Sequence, residues 1–195
     1  MATTSRPPSR RVPAAERRKA LVEAAVVEFG RGGLHGTPVD RIARRVGVAQ
    51  PYVFSLFGSK RELFLAAIDR NFEVARELFA LANEEFRAGR SVTETALGAM
   101  GKAYVELLES DRDFLLMQVQ MYAACDDEGV REHAREKHDA LVAYASELSG
   151  VPAASLETFF NYGMVVSLSA ALGADRLERA CEWVREQMSA NPPTA

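Results

Sequence analysis

The sequence predicts an all-α protein of about nine helices. It reads as an N-terminal three-helix helix-turn-helix unit followed by a larger C-terminal helical domain. Three observations predict this. Strand signals are scarce, and apolar residues recur at helical spacing almost throughout. Two short helical segments flank Gly47 near the N-terminus. Charge is also sorted along the 195 residues: residues 1–60 hold eleven Lys/Arg and four acids, or +7, and the rest hold 13 bases and 23 acids, or −10, giving the net −3. A basic segment on an acidic remainder points to a polyanionic partner for the basic part.

Residues 1–12 read as a disordered basic arm carrying Arg6, Arg10 and Arg11, because they cannot bury enough apolar surface to offset ordering entropy. Residues 13–60 read as the helix-turn-helix domain. Its first helix starts near Pro13, buries Leu21, Ala24, Ala25 and Phe29, and ends at Gly30, Gly32 and Gly33. Thr37-Pro38-Val39-Asp40 predicts the next helix start, with Thr37 and Asp40 forming a capping box. Val39, Ile42, Ala43 and Val46 face inward there, leaving Arg41, Arg44 and Arg45 outside. Gly47 permits the left-handed turn that follows. A short third helix has Pro51 in its first turn and Val53, Phe54 and Phe57 inward.

Residues 61–195 read as the second domain. Ser59-Lys60-Arg61-Glu62 is a capping box opening a long helix to about Phe86. Further helices are expected at about 92–109, 113–124, 127–148, 153–172 and 175–189, separated by breaks near Asp111, Asp126, Gly150-Val151-Pro152 and Gly173.

Composition, at 48% apolar and 26% charged, excludes collagenous, disulfide-stapled and wholly disordered classes. Met1 to Pro13 lacks the apolar core of a secretory signal. Cys125 and Cys181 form no metal or redox motif. The longest uncharged run, Thr158 to Ala174, has 17 residues and is too short and polar for a membrane span. A cytoplasmic location without membrane contact is expected, with no cofactor and no metal. His133 and His138 are five apart and share no helix face, so they do not form a zinc pair.

In a helix-turn-helix, the second helix of the pair enters the major groove and the first crosses the DNA backbone. Gln50 can pair with adenine, Pro51 can touch a thymine methyl, and Tyr52 and Ser55 lie on the polar side of the same helix. Thr37, Arg44, Arg45 and Lys60 suit phosphate oxygens. Each also has a plain reading as a solvated surface residue.

These residues stand in a recognisable spacing: Gly36-Thr37-Pro38-Val39-Asp40-Arg41-Ile42-Ala43, then Val46-Gly47-Val48, then Val53-Phe54, Phe57, Ser59-Lys60 and Glu62-Leu63. Over about residues 15–65 the sequence resembles the TetR/AcrR family of transcriptional regulators. The resemblance implies a homodimer that binds a near-palindromic double-stranded DNA operator, usually to repress. It also implies a small-molecule effector, largely apolar, that enters the second domain and moves the fourth helix. The sequence departs from the family at Phe54, where Tyr is frequent, at Leu56, where His or Tyr is frequent, and at Ala49, where a capping Ser is frequent.

Candidate effector contacts are Phe79, Met100, Tyr104, Phe114, Met117, Gln118, Met121, Tyr122, Phe160 and Met164. Phe114, Met117 and Met121 fall at helical spacing, which suits an ordinary core as well as an adaptable pocket. Leu156, Gly163, Ser167 and Ala171 form one stripe, and Leu177, Cys181, Val184 and Met188 another. Two such final helices suggest a four-helix dimer interface; packing within one chain is the other reading. An architectural DNA-binding protein with no effector is a second functional class, distinguished by the absence of ligand-dependent release. An all-α enzyme or carrier is a third, and the sequence shows no nucleophile–base set, metal cluster or phosphate loop for it.

Overall fold

The computed structural model describes residues 13–173. The helices are α1 (Ala14–Gly36), α2 (Val39–Val46), α3 (Gln50–Phe57), α4 (Lys60–Arg87), α5 (Ala96–Ser110), α6 (Arg112–Ala123), α7 (Glu128–Ser149) and α8 (Glu157–Leu172). A 3₁₀ turn, Ala153–Ser155, precedes α8. The basic arm at 1–12 and the expected ninth helix at 175–189 lie outside the described residues. Among the described residues no helix is long and apolar enough to cross a membrane.

Pro13 precedes α1 with φ of −55°, which suits a residue that has no N–H to satisfy. Leu21, Ala24, Ala25 and Phe29 are buried, as their spacing predicts. Of the three glycines expected to end the helix, Gly30 and Gly32 stay helical. A Cβ at Gly30 would lie 3.2 Å from the Met117 backbone nitrogen of α6, so the missing side chain is what lets the two helices meet. The break comes at Gly33, where φ is 66°.

The capping box at Thr37 and Asp40 does not form either. Pro38 caps α2 without a side-chain hydrogen bond. The Thr37 hydroxyl instead donates to the Glu28 carbonyl at 3.0 Å, in a buried position. Asp40 pairs with Arg44 one turn along. The turn between α2 and α3 follows expectation. Gly47 adopts φ 74° and its N–H reaches the Ala43 and Arg44 carbonyls. Ser59 accepts from the Glu62 N–H at 3.1 Å and starts α4.

The α1–α4 head has an apolar core built on Leu21, Phe29, Ile42, Val53, Leu63, Phe64 and Ile68. Phe29 and Phe64 meet edge to face at 5.0 Å. This core does not stop at residue 60. Met117, Met121 and Ala124 from the end of α6, with Val130 and Ala134 of α7, complete it. Two ion pairs reinforce the junction: Arg70 of α4 reaches Glu23 of α1 at 2.8 Å, and Arg61 of α4 reaches Asp127 before α7 at 2.8 Å. A second core joins α4, α5 and α7 around Phe79, Met100, Leu141 and Leu156. A third joins α5, α6 and α8 around Leu108, Phe114, Leu115 and Val166.

Candidate nucleic-acid interface and effector cavity

The head exposes one coherent face. Gln50, Pro51 and Ser55 of α3 are exposed. Phe54 joins them, 37% exposed, which corrects its expected place in the core. The helix buries only Val53 and Phe57, a narrow stripe of one residue per turn, and Phe54 falls outside it. Tyr52 is half-buried, with the Arg17 guanidinium 5.7 Å from its ring centroid. Arg18 sits 4.3 Å over Phe57 and donates to the Leu56 carbonyl at 3.1 Å. The start of α1 therefore clamps α3 in place. The sequence reading missed both arginines as positioning residues, because nothing in their spacing names a partner about 40 residues away.

Arg44 and Arg45 are both exposed on α2. They are not equivalent. Among the described residues Arg44 pairs with its helix neighbour Asp40, at 3.0 Å. Arg45 donates to the buried Glu28 carboxylate at 3.1 Å, and Arg41 approaches the other oxygen at 3.7 Å. Thr37 is corrected as a phosphate contact, since its side chain is 1% exposed and its hydroxyl is used inside α1. Lys60 donates to the His35 carbonyl at 2.9 Å, and partial burial lowers its pKa. It closes the end of α1 and keeps further donors for a phosphate.

A cavity lies between α4, α5, α6, α7 and α8. Phe79, Tyr104, Phe114, Gln118, Met121, Tyr122, Phe160 and Met164 line it, as expected. Met100 and Met117 do not. Both are sealed inside cores, Met100 between α4 and α5 and Met117 on the side of α6 that faces α1. Asn71, Phe72, Val105, His138 and Leu141 also line the cavity and were not foreseen. Helical periodicity marks them as inward-facing without saying that space is left beside them.

One wall is polar. The Tyr104 hydroxyl donates to Gln118 Oε1 at 2.8 Å and lies 2.9 Å from Ser167 Oγ. Ser167 donates to the Gly163 carbonyl at 2.7 Å, and Gln118 Nε2 donates to the Tyr122 hydroxyl at 3.3 Å. Burial pushes the Tyr104 phenol up to about 12, against the opposing pull of its hydrogen bonds to Ser167 and Gln118.

This geometry corrects two members of the expected dimer stripe on α8, Leu156 and Ser167. Leu156 is fully buried in the second core. Ser167 is 1% exposed inside the polar wall, and Gly163 packs close to the Tyr104 ring. Ala171 packs against the third core. Leu156 and Ser167 are therefore used inside the protomer, while Gly163 and Ala171 are half-buried. The large apolar residues exposed on α8 are Met164, at the cavity mouth, and Val165, Leu168 and Leu172. Leu177, Cys181, Val184 and Met188 lie outside the described residues. His133 approaches Asp69 at 2.8 Å and His138 packs edge to face on Phe160 at 5.3 Å, so the two histidines serve different neighbours.

A tight helical pair with an exposed second helix, packed on a helical domain that holds a cavity, defines the class of helix-turn-helix regulators. Comparison with known proteins gives the family. Residues 21–67 match the family described as bacterial regulatory proteins, tetR family. Over 103 residues the chain is 34% identical to the HTH-type transcriptional activator FasR of Mycolicibacterium smegmatis, a match covering 52% of this chain and 44% of that one. It thus spans less than half the length of that relative. A TetR-family regulator from Mesorhizobium loti superposes with a TM-score of 0.66 at 17% identity, covering 92% of this chain and 98% of that one. The multidrug binding protein EbrR, solved in complex with imidazole, superposes with a TM-score of 0.66 at 20% identity, covering 98% and 99%. The match to the tetR family thus covers the helix-turn-helix head, and the solved structures extend the likeness of fold to the rest of the described chain.

Proposed function

We propose that the chain is a homodimeric transcriptional repressor that binds a near-palindromic DNA operator and is released by a small, largely apolar effector. Gln50 and Ser55 offer hydrogen bonds to base edges, and Pro51 and Phe54 offer apolar contact to thymine methyl groups. Arg44 and Lys60 supply phosphate contacts that set register. The outward apolar face of α8 (Val165, Leu168 and Leu172) supports pairing with a second copy. Two heads about one helical turn of DNA apart then meet successive major grooves.

One observation carries the ligand-responsive reading. Met121 belongs to the core of the head and also lines the cavity. A molecule that displaces Met121 must therefore repack the head against α6, which is a physical route from effector to head spacing. Release follows if the effector binds more tightly to the spacing that does not fit the operator.

The test is selection of bound fragments from a genomic DNA pool, repeated with candidate effectors, followed by transcription from the selected site. Recovery of one palindromic motif, lost on effector addition, with transcription rising, is the expected result. Transcription that falls on effector addition would make the protein an activator, as the FasR relative is named. Motif binding that no effector alters would favour an architectural role.

A further inference from the structure

Asn71 sits on α4 at the cavity wall and is 6% exposed. Its Oδ1 is buried and accepts no hydrogen bond from the described residues. Such an atom costs stability for as long as it stays unpaired, and folded proteins keep few of them. Its surroundings make the vacancy specific. Among the other polar side chains of the wall, Tyr104, Gln118 and Tyr122 are hydrogen-bonded to one another and to Ser167. Among the described residues the lining holds His138 but no Asp, Glu, Lys or Arg. A carboxylate would find no Lys or Arg among the described lining residues and would set its oxygens against the Asn71 carbonyl. Phe72, Phe79, Phe114, Phe159 and Phe160 present an aromatic surface to the rest of any occupant.

We propose that the effector is a neutral, mainly aromatic molecule carrying an N–H or O–H group that donates to Asn71 Oδ1. This rests on the reading of the cavity as the effector site. It adds the charge of the ligand, the sense of its hydrogen bond and the residue that selects it.

The probes are indole, 1-methylindole and indole-3-acetate, titrated calorimetrically into the full chain. Indole has the donor, 1-methylindole lacks it, and indole-3-acetate adds a carboxylate. The wild type should bind indole about tenfold tighter than 1-methylindole, the size of one buried hydrogen bond with its unpaired penalty. It should bind indole-3-acetate more weakly than indole. In Asn71→Leu the preference for indole should shrink toward one. Without ligand that variant should melt a few degrees higher, because the orphan carbonyl is gone. Asn71→Val is the second variant if Leu does not fit, and the wild-type comparison stands without either. Equal affinity for indole and 1-methylindole, a preference that survives in the variants, tighter binding of indole-3-acetate, or no binding of any probe would overturn the proposal. Operator release is measured separately. Donor-dependent binding without release would leave this proposal standing and defeat the effector reading; release by a ligand indifferent to Asn71 would do the opposite.

Discussion

Arg45 of α2 donates to Glu28 of α1 at 3.1 Å, and that carboxylate is 5% exposed. The pair fixes the angle of α2 on α1, with Thr37 adding a bond to the Glu28 backbone. Removing Arg45 leaves a buried charge supported only by Arg41 at 3.7 Å. Arg45→Ala should therefore cost about 1–3 kcal/mol, and Glu28→Gln less, because the arginines it frees are exposed and return to water. Urea unfolding of both single variants and the double variant checks this. Strictly additive losses would mean the pair carries no coupling.

If α3 enters the major groove as proposed, Gln50 reads bases and Arg44 holds phosphate, and the two roles can be separated. Gln50 sits exposed at the start of α3 and Arg44 is exposed on α2. Gln50→Ala should relax discrimination between operator variants by about 1–3 kcal/mol at one base position. Arg44→Ala should weaken operator and random DNA alike and reduce the salt slope by about one. Titrations at several salt concentrations distinguish them. Equal losses on operator and random DNA for Gln50→Ala would exclude base readout.

Much of this head was legible in the sequence. Gly47 and Ser59 were predictable because turn and cap chemistry is local. Thr37 was misread for the same reason: a local capping pattern was present, and a buried carbonyl nine residues earlier won the hydroxyl. Phe54 was misread because an aromatic on an amphipathic helix is normally core. In the second domain, period identified inward positions such as Met117 and Met121 but not which of them faced a void. That depends on the separation of helices, and Gly30 sets it through a contact across 87 residues that no local pattern encodes.

Gly30 and Gly33 make the α1–α6 contact sensitive to single methyl groups. A Cβ at Gly30 would lie 3.2 Å from Met117 N and 3.3 Å from Leu116 Cβ. At Gly33 it would lie 2.6 Å from Gln120 Oε1, on a backbone with φ of 66°. Gly30→Ala should cost about 1–3 kcal/mol through overpacking against backbone that cannot move aside. It should also alter the effector concentration needed for release, because it shifts α6 beside Met121. Gly33→Ala should lower stability by at least about 1 kcal/mol from backbone conformation alone. Thermal melts and release curves check both. A Gly30→Ala protein with unchanged melting and release would show that α1 and α6 can part freely.

Tyr104 gives an alkaline signature. Its phenol titrates near 10 when exposed and is pushed up to about 12 by burial. Below pH 10 both folded and unfolded chains keep the proton, and Tyr104 adds no pH dependence. Between 10 and about 12 the unfolded chain loses its proton first, so stability falls as pH rises, by about 1.4 kcal/mol per unit. Tyr104→Phe loses the bonds to Gln118 and Ser167 and should start about 1 kcal/mol less stable at about pH 9. The gap to wild type should close as pH rises toward about 11. Urea unfolding at both pH values tests this, and a constant gap would show that the hydroxyl is not held away from water.

Leu168 and Leu156 oppose two roles on one helix and its approach. Leu168 is 55% exposed within the protomer, between Val165 and Leu172 on the same side of α8. Leu156 is fully buried beneath the start of α8. If the outward face of α8 pairs with a second copy, Leu168→Asp places an unpaired charge in that interface. Dimer dissociation should then strengthen at least about tenfold, while the melting of the protomer changes little, because the side chain makes few contacts within its own chain. Operator affinity should fall with it, since one head alone reads half a site. Leu156→Ala should behave in the opposite way, losing about 2–5 kcal/mol of stability to a cavity in the second core without altering assembly in the folded protein. Sedimentation velocity beside thermal melting resolves the two. A Leu168→Asp protein that remains as dimeric as wild type would remove this face of α8 from the interface.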